Sequence, residues 1–321
     1  MGVREVPRPL RHCEETMNTD KIDRVEAFLE KHKGNIEHCV MCPRACGVNR
    51  EIEHGECREG WTPRISSANL HHGEEPPVSG TRGSGTIFFT GCNLHCMFCQ
   101  NFPISQLHQA TRTLDTDTLA DTMLSLQNKG AHNINLVTPS HYVYQTVMAI
   151  GAALKKGLAI PIVYNTSGYD SLPVIRDLGG IVDVYLPDMK YAFDDIAGEY
   201  SGASNYPAVN RKALLEMYAQ TGAELSLDGD GIAQKGLIVR HLVLPGNIVN
   251  SIAVLKWIAE NLSPKIHLAL MSQYFPADRA AGHPVIGRRL VHEEYDEVVE
   301  YADSLGFENG WFQELDAHGG C

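Results

Sequence analysis

The stretch Thr86-Ile-Phe-Phe-Thr-Gly-Cys-Asn-Leu-His-Cys-Met-Phe-Cys-Gln-Asn101 decides how the rest of the chain is interpreted. Residues 86–90 are a short apolar run, which predicts a strand that leads into Gly91 and a loop. The loop carries Cys92, Cys96 and Cys99 at the spacing Cys-x3-Cys-x2-Cys. Thiolates are soft ligands suited to iron–sulfur clusters, zinc or copper(I). Because a four-iron cluster normally takes four cysteines, three predict a metal site with an open coordination position.

Two other interpretations of this loop are a zinc site completed by His95 or His108, and three unrelated buried thiols. Structural zinc sites usually show paired Cys-x2-Cys elements, and this loop contains a single such element. The spacing therefore favours an iron–sulfur cluster.

The pattern Cys92-x3-Cys96-x-Phe98-Cys99 resembles the signature of the radical S-adenosylmethionine (SAM) superfamily. The resemblance implies that the three cysteines hold a [4Fe-4S] cluster, with the amino and carboxylate groups of SAM bound to the fourth iron. It also implies an oxidoreductase. One electron from the cluster cleaves SAM to methionine and a 5'-deoxyadenosyl radical, which abstracts hydrogen from a substrate.

The composition limits the other classes of function. The chain has 321 residues and a formal net charge of −12, with a pI near 5.6, which argues against a nucleic-acid-binding protein. No apolar run reaches the roughly 18 residues of a transmembrane helix, and residues 1–20 lack the apolar core of a signal peptide. Nine cysteines in such a chain indicate metal ligands in a reducing cytoplasm. We therefore expect a cytoplasmic protein without a membrane or nucleic-acid partner.

A second cysteine group precedes the first, with the spacing Cys-x2-Cys-x3-Cys-x10-Cys. It comprises Cys39, Cys42, Cys46 and Cys57. Four thiolates complete a first coordination shell, so this group predicts either a structural zinc or an auxiliary iron–sulfur cluster. The site either only fixes an N-terminal subdomain or relays electrons to the loop at 92–99. Cys13 and Cys321 have no partners at ligand spacing, and we assign them no role.

From residue 85 onward, short apolar runs alternate with helical patterns, which predicts a parallel α/β sheet. We predict strands at 86–90, 134–137, 160–165, 181–186, 237–244 and 266–271. Six such units are too few for a closed eight-fold barrel, and the superfamily core is a partial (β/α)6 barrel. The predicted divisions are a disordered leader at 1–19, a helix and Cys-rich metal-binding segment at 20–79, the radical SAM core at 80–306, and a tail at 307–321.

Catalytic groups in barrels cluster at the carboxyl ends of strands, so these ends predict the cofactor site. The predicted cofactor-binding residues are Thr138, Ser140, Asn165, Thr166, Asp188, Lys190 and Arg240. Thr138-Pro-Ser140 replaces the Gly-Gly-Glu-type segment of the superfamily and serves through its backbone. Arg240 is a charge within an apolar strand, and it is acceptable there if it meets a carboxylate such as that of SAM. The alternative is a buried structural ion pair. His241 points to the opposite face and packs under a helix.

The resemblance spans about residues 36–306 and is nearest to the branch related to pyruvate formate-lyase activating enzymes. Gly91-Cys-Asn, Cys99-Gln-Asn101, the run from Arg240 to Gly246 and Ser272-Gln-Tyr274 carry it. Where this chain has Asn165-Thr166, those relatives have Asp-Thr, and their Asp-Thr lies near a monovalent cation.

The implied partners are an electron donor such as flavodoxin or ferredoxin and a glycyl radical enzyme. The alternatives are a radical SAM enzyme with a small-molecule or other protein substrate, and a non-catalytic metal-stabilised binding module. Residues 192–236 are long enough to form a lid, and the alternative is a simple helical insertion.

Overall fold

The computed structural model describes residues 10–109 and 111–315, with side chains from residue 19 onward. The strands are β1 (Arg64–His71), β2 (Ser84–Phe89), β3 (Arg112–Thr113), β4 (Ile134–Val137), β5 (Ile162–Thr166), β6 (Val184–Pro187), β7 (Ser226–Leu227), β8 (Ala233–Leu242), β9 (His267–Met271) and β10 (Asn309–Phe312). The helices are α1 (Leu10–His32), α2 (Pro76–Ser79), α3 (Phe102–Ser105), α4 (Thr116–Asn128), α5 (Val143–Lys155), α6 (Leu172–Asp177), α7 (Asp194–Ser201), α8 (Tyr206–Thr221), α9 (Ile248–Asn261) and α10 (His292–Ser304).

These strands form one sheet in the order β10-β9-β8-β6-β5-β4-β2-β1-β3, with β7 paired to β8. All pairings from β2 to β10 along this order are parallel, whereas β1, β3 and β7 pair antiparallel. Each of the six predicted strands is present in the parallel part. The α/β class follows from this alternation of buried strands with helices.

The two faces of the sheet bury different clusters. Leu136, Tyr164 and Val239 belong to the large core that the flanking helices cover. On the other face, which we call the inner face, Val78 of α2 packs with a cluster that includes Val163 and Ile238. Fully burying each such apolar side chain is worth roughly 1.5–3 kcal/mol. Helix α2 therefore fixes the segment before β2 against the inner face.

The ends of the chain differ from the prediction. Helix α1 begins at Leu10, not near Asp20, because the sequence from Leu10 to His32 contains no proline or glycine to end a helix. Residues 1–9 of the predicted leader lie outside the described residues, as do Cys321 and the side chain of Cys13. The predicted tail contributes β10, which pairs in parallel with β9 and so extends the sheet.

The boundary predicted at residue 80 is also displaced. Strand β1 pairs with β2 from Ile65 to His71, so residues 64–71 belong to the sheet and not to a separate Cys-rich segment, and α2 follows at residues 76–79. The sequence of β1 mixes polar and apolar residues, and most of its side chains are half-buried. Within the described ranges, none of the helices is both long and apolar enough to span a membrane.

Candidate functional site

The loop after β2 carries three cysteines whose sulfurs each meet a hydrogen-bonding group. The Leu94 N–H lies 3.3 Å from Cys92 Sγ, and the Ser201 hydroxyl donates to Cys96 Sγ at 2.9 Å. Cys99 Sγ lies 3.2 Å from Ser105 Oγ. Burial and the neighbouring thiols raise the pKa of Cys92 and of Cys99. As bare thiols these groups are therefore neutral, and a metal ion would be needed to hold them as thiolates.

Three arginines from separate parts of the chain hold this loop by its backbone carbonyls. Arg44 Nε donates to Asn93 O at 2.8 Å, and Arg279 Nη2 donates to His95 O at 2.6 Å. Arg58 Nη1 donates to Gln106 O at 3.1 Å. Because Arg44 and Arg58 lie in the Cys-rich segment, the two cysteine groups are directly connected.

A network of charged and amide side chains occupies the inner face at the ends of β4, β5, β6 and β8. Arg240 Nε donates to Asp188 Oδ1 at 2.9 Å and its Nη2 donates to Asn165 Oδ1 at 2.6 Å. Lys190 Nζ donates to Asp188 Oδ2 at 2.5 Å. Burial alone raises the pKa of Asp188, but the two cations outweigh it and hold that pKa below its usual value. The structure thus brings together four of the predicted cofactor-binding residues.

Glu74, which no motif in the sequence marks, contacts this network. Its carboxylate lies 3.5 Å from Arg240 Nη1 and accepts a hydrogen bond of 2.9 Å from Asn135 Nδ2. Asn135 is on β4 and Arg240 on β8, three strand positions apart, or about 14 Å along a flat sheet. The Glu74 carboxylate therefore connects side chains from two strands that are not neighbours in the sheet.

Ser140 and Thr166 lie together, but their hydroxyls serve a buried carboxylate. Ser140 Oγ donates to Asp170 Oδ1 at 2.6 Å, and Thr166 Oγ1 donates to Asp170 Oδ2 at 2.5 Å. Tyr164 Oη donates to the same carboxylate at 3.0 Å. Burial raises the pKa of Asp170, and the three hydroxyls offset part of that rise. The side-chain hydroxyls of Ser140 and Thr166 are therefore already used within the protein, and Asp170 was not selected from the sequence.

Thr138 has a left-handed backbone with φ of 57°, which a β-branched residue rarely adopts. Its N–H donates to Asn165 O at 2.8 Å, so the end of β4 is fixed to the end of β5. Strain of this kind costs on the order of 1–3 kcal/mol and tends to occur where a backbone is shaped for binding.

His241 lies on the opposite face of the sheet, as predicted from the alternation along the strand. Its ring contacts Met189 O at 2.7 Å and Ser251 Oγ at 2.9 Å, and burial lowers its pKa to about 4.

The second cysteine group lies next to a buried arginine, Arg50. Burial and the neighbouring thiols raise the pKa of Cys42 to about 12, while nearby backbone offsets part of the rise. Arg50 Nη1 lies 3.7 Å from Cys39 Sγ and also interacts electrostatically with Cys57. A buried cation next to thiols would balance the negative charge of these groups as thiolates. Even so, among the described residues no three His, Cys, Asp or Glu side chains are arranged as a finished metal site.

Glu59 connects the segments that carry the two cysteine groups, because it follows Cys57 closely and contacts Thr90, which precedes Cys92. The residue is fully buried, and its carboxylate accepts hydrogen bonds from Thr90 Oγ1 at 2.7 Å, His108 Nδ1 at 2.7 Å and Tyr142 Oη at 2.8 Å. Burial alone raises the pKa of Glu59, but these donors outweigh it and lower the pKa. A Cβ atom on Gly91 would lie 2.5 Å from Glu59 Cγ and 2.7 Å from the backbone oxygen of Cys57, which is too close for either contact. Only glycine therefore allows the two segments to pack so closely.

Comparison with known protein families gave no match. The uncharacterized protein MJ0674 of Methanocaldococcus jannaschii is 30% identical over 292 residues, which is 87% of this chain and 78% of that protein. A structural comparison found Streptococcus suis SuiB, solved bound to the precursor peptide SuiA, at a TM-score of 0.48 and 13% sequence identity. That alignment covers 70% of this chain and 46% of SuiB, so the chain spans about half the length of that protein.

Proposed function

The chain belongs to the same protein family as the uncharacterized protein MJ0674 of Methanocaldococcus jannaschii, and we propose that it is a radical SAM enzyme. The proposal rests on the loop that follows β2, with its Cys-x3-Cys-x2-Cys spacing, and on what this loop faces. Lys190 interacts electrostatically with Cys92, Cys96 and Cys99. The charged network therefore lies near the cysteine loop.

The residues of the loop fit a [4Fe-4S] cluster. All seven described cysteines are free thiols, so none of these is committed to a disulfide. The three loop sulfurs each have a neighbouring hydrogen-bonding group, which is the kind of outer shell that stabilises ligating thiolates. When bound, the cluster and SAM would supply one-electron reduction and a hydrogen-abstracting radical.

The charged network supplies groups for the polar part of SAM. Lys190 and Arg240 are the cations available to a carboxylate, and Asp188 holds both in place. The strained turn at Thr138 suits an exposed carbonyl that accepts from an amino group. Arg240 contacts Asn165 as well as Asp188, so a positive charge already lies against the amide that stands where the activating enzymes have an aspartate. This arrangement accounts for an amide where those enzymes have a carboxylate.

We assign a metal site to Cys39, Cys42, Cys46 and Cys57 as well. These four donors fit zinc or an auxiliary iron–sulfur cluster, and Arg50 offsets their charge in either case. The direct contacts of Arg44 and Arg58 with the loop at 92–106 give this site a role in holding the catalytic loop.

For the substrate, we propose that hydrogen is removed from a glycine of a glycyl radical enzyme, with flavodoxin or ferredoxin as electron donor. The region 192–236, predicted as a lid, contains α7 and α8. Backbone bonds from His95 N to Ser201 O and from Met97 N to Tyr200 O fix the end of α7 to the cysteine loop. This part of the region therefore supports the cysteine loop.

The test is an anaerobic reconstitution with iron and sulfide, followed by dithionite, SAM and an assay for 5'-deoxyadenosine. We expect deoxyadenosine from the wild type and none from Cys96→Ala. A wild-type protein that binds a cluster but yields no deoxyadenosine would contradict the proposal. About four irons with one zinc per chain would identify the second site as zinc, and about eight irons would identify it as a cluster.

The substrate proposal needs a separate measurement. A glycyl radical enzyme co-incubated with the reduced protein and SAM should develop the doublet of a glycyl radical in its EPR spectrum. Deoxyadenosine formation without that doublet, for every such enzyme tried, would favour another substrate while leaving the radical SAM assignment intact.

A further inference from the structure

Ser201 lies at the end of α7, more than one hundred positions along the chain from the cysteine loop that it contacts. Its hydroxyl donates to Cys96 Sγ at 2.9 Å. Tyr191 Oη lies 2.6 Å from the same hydroxyl oxygen. Both side chains are fully buried, so water does not compete for either group.

The direction of these two hydrogen bonds follows from proton counting. Ser201 has one proton, and a sulfur that ligates iron can only accept, so the serine proton points to Cys96. Ser201 can then only accept from Tyr191, whose own proton is directed at the serine oxygen. The resulting chain runs from Tyr191 to Ser201 to Cys96, and hydrogen bonds in such chains strengthen one another in a low-dielectric interior.

The backbone around Ser201 keeps this donor in place. Ser201 O accepts from His95 N at 3.1 Å, and Met97 N donates to Tyr200 O at 2.8 Å. Arg44 Nη1 donates to Gly202 O at 2.8 Å. The serine is therefore fixed to the residues on either side of Cys96 and does not depend on its side chain for its position.

We propose that Ser201, oriented by Tyr191, is a positioning residue that raises the reduction potential of the cluster at Cys92, Cys96 and Cys99. The inference rests on the proposed function. Reduction adds negative charge to the cluster and its ligands, and a hydrogen bond to a ligand sulfur stabilises that charge. No bond forms or breaks at the serine: the electron comes from a reductant such as dithionite, and the proton stays on Ser201 Oγ.

The experiment is an anaerobic redox titration of the reconstituted full chain, with the reduced cluster followed by EPR and iron counted for each variant. A net hydrogen bond is worth about 0.5–1.5 kcal/mol, so Ser201→Ala should lower the ratio of reduced to oxidised cluster roughly two- to tenfold at a given solution potential. Ser201→Thr keeps the hydroxyl and should restore most of that ratio. Ser204→Ala removes an exposed hydroxyl from the same segment and should leave the potential unchanged.

The outcomes separate the inference from the proposed function. A wild-type chain that takes up no cluster overturns both. Full iron content with a wild-type potential in Ser201→Ala overturns the inference alone. If Ser201→Ala fails to load iron, Tyr191→Phe decides, because it keeps the serine but removes the donor that orients it. A more negative potential in Tyr191→Phe supports the chain of hydrogen bonds, and an unchanged one refutes it.

Discussion

Glu59 gives the sharpest prediction for stability, because a fully buried carboxylate accepts from Thr90, His108 and Tyr142. In Glu59→Gln one carboxylate oxygen becomes an amide group, which cannot accept a hydrogen bond. Hydrogen bonds to charged groups contribute about 1.5–3 kcal/mol each and neutral ones about 1 kcal/mol. We therefore expect Glu59→Gln to lower the free energy of unfolding by about 2–4 kcal/mol.

The assay is urea denaturation of the full chain as purified, with the metal content of each sample measured. Tyr142→Phe removes one donor, and we expect it to cost about 1–2 kcal/mol. The double variant should cost less than the sum of the two single variants, since both remove the same hydrogen bond. A loss below about 0.5 kcal/mol for Glu59→Gln at unchanged metal content would refute the reasoning, because exposed substitutions already vary by that amount.

The same carboxylate predicts a dependence on pH. The pKa of Glu59 is lower in the folded chain than the ordinary value of 4.5, so the folded state favours the charged form. Its contribution is complete above about pH 4.5 and is lost as the pH falls through the folded pKa. Wild-type stability should therefore fall more steeply than that of Glu59→Gln below about pH 4.5, in urea titrations at several pH values. Parallel acid limbs would show that Glu59 is not the group that titrates.

Three further predictions concern the strand ends and the second cysteine group. Thr138→Gly relieves the left-handed backbone, so it should leave the free energy of unfolding unchanged or raise it by up to about 1 kcal/mol. Thr138→Val keeps a β-branched residue in that backbone and should not raise the free energy of unfolding; urea midpoints distinguish the two variants. Arg240→Lys keeps the charge but cannot reach Asp188 and Asn165 as a fork, so calorimetry should show SAM binding weakened about tenfold; an unchanged affinity would argue against the assigned contact. Cys57→Ser should remove one metal equivalent, or about four irons if the site is a cluster, and equal content in the variant and the wild type would contradict the second site.

Much of the sheet could be predicted because its strands are continuous apolar runs. Ile134–Val137 and Val184–Pro187 are buried on both faces, and burial of that kind leaves a signal in the sequence itself. Strand β1 was missed because most of its side chains are half-buried and no apolar run marks it. Strand β10 was missed because it lies at the edge of the sheet and contains Gly310.

The residues of the candidate site also fall into those that the sequence marks and those that it does not. Cys92 could be selected from the spacing of the cysteines. Asp188 and Arg240 could be selected because a charged residue within or directly after an apolar strand stands out in the sequence. Glu59 and Ser201 could not, because nothing near them in the sequence distinguishes them from surface residues. Their roles arise from tertiary contacts with Thr90 and Cys96, which the folded chain alone reveals.

The pairing of β1 with β2 has a consequence for the order of assembly. Residues 72–83 connect these two antiparallel strands, so the pair is a local contact that needs little loop closure. Cys57 precedes β1 and Cys92 follows β2, so the formation of this one hairpin brings both cysteine groups together. During synthesis on the ribosome, we expect the two groups to meet before Lys190 and Ser201 have been made. The cysteine segments would then lie together early, and the later strands would close around them.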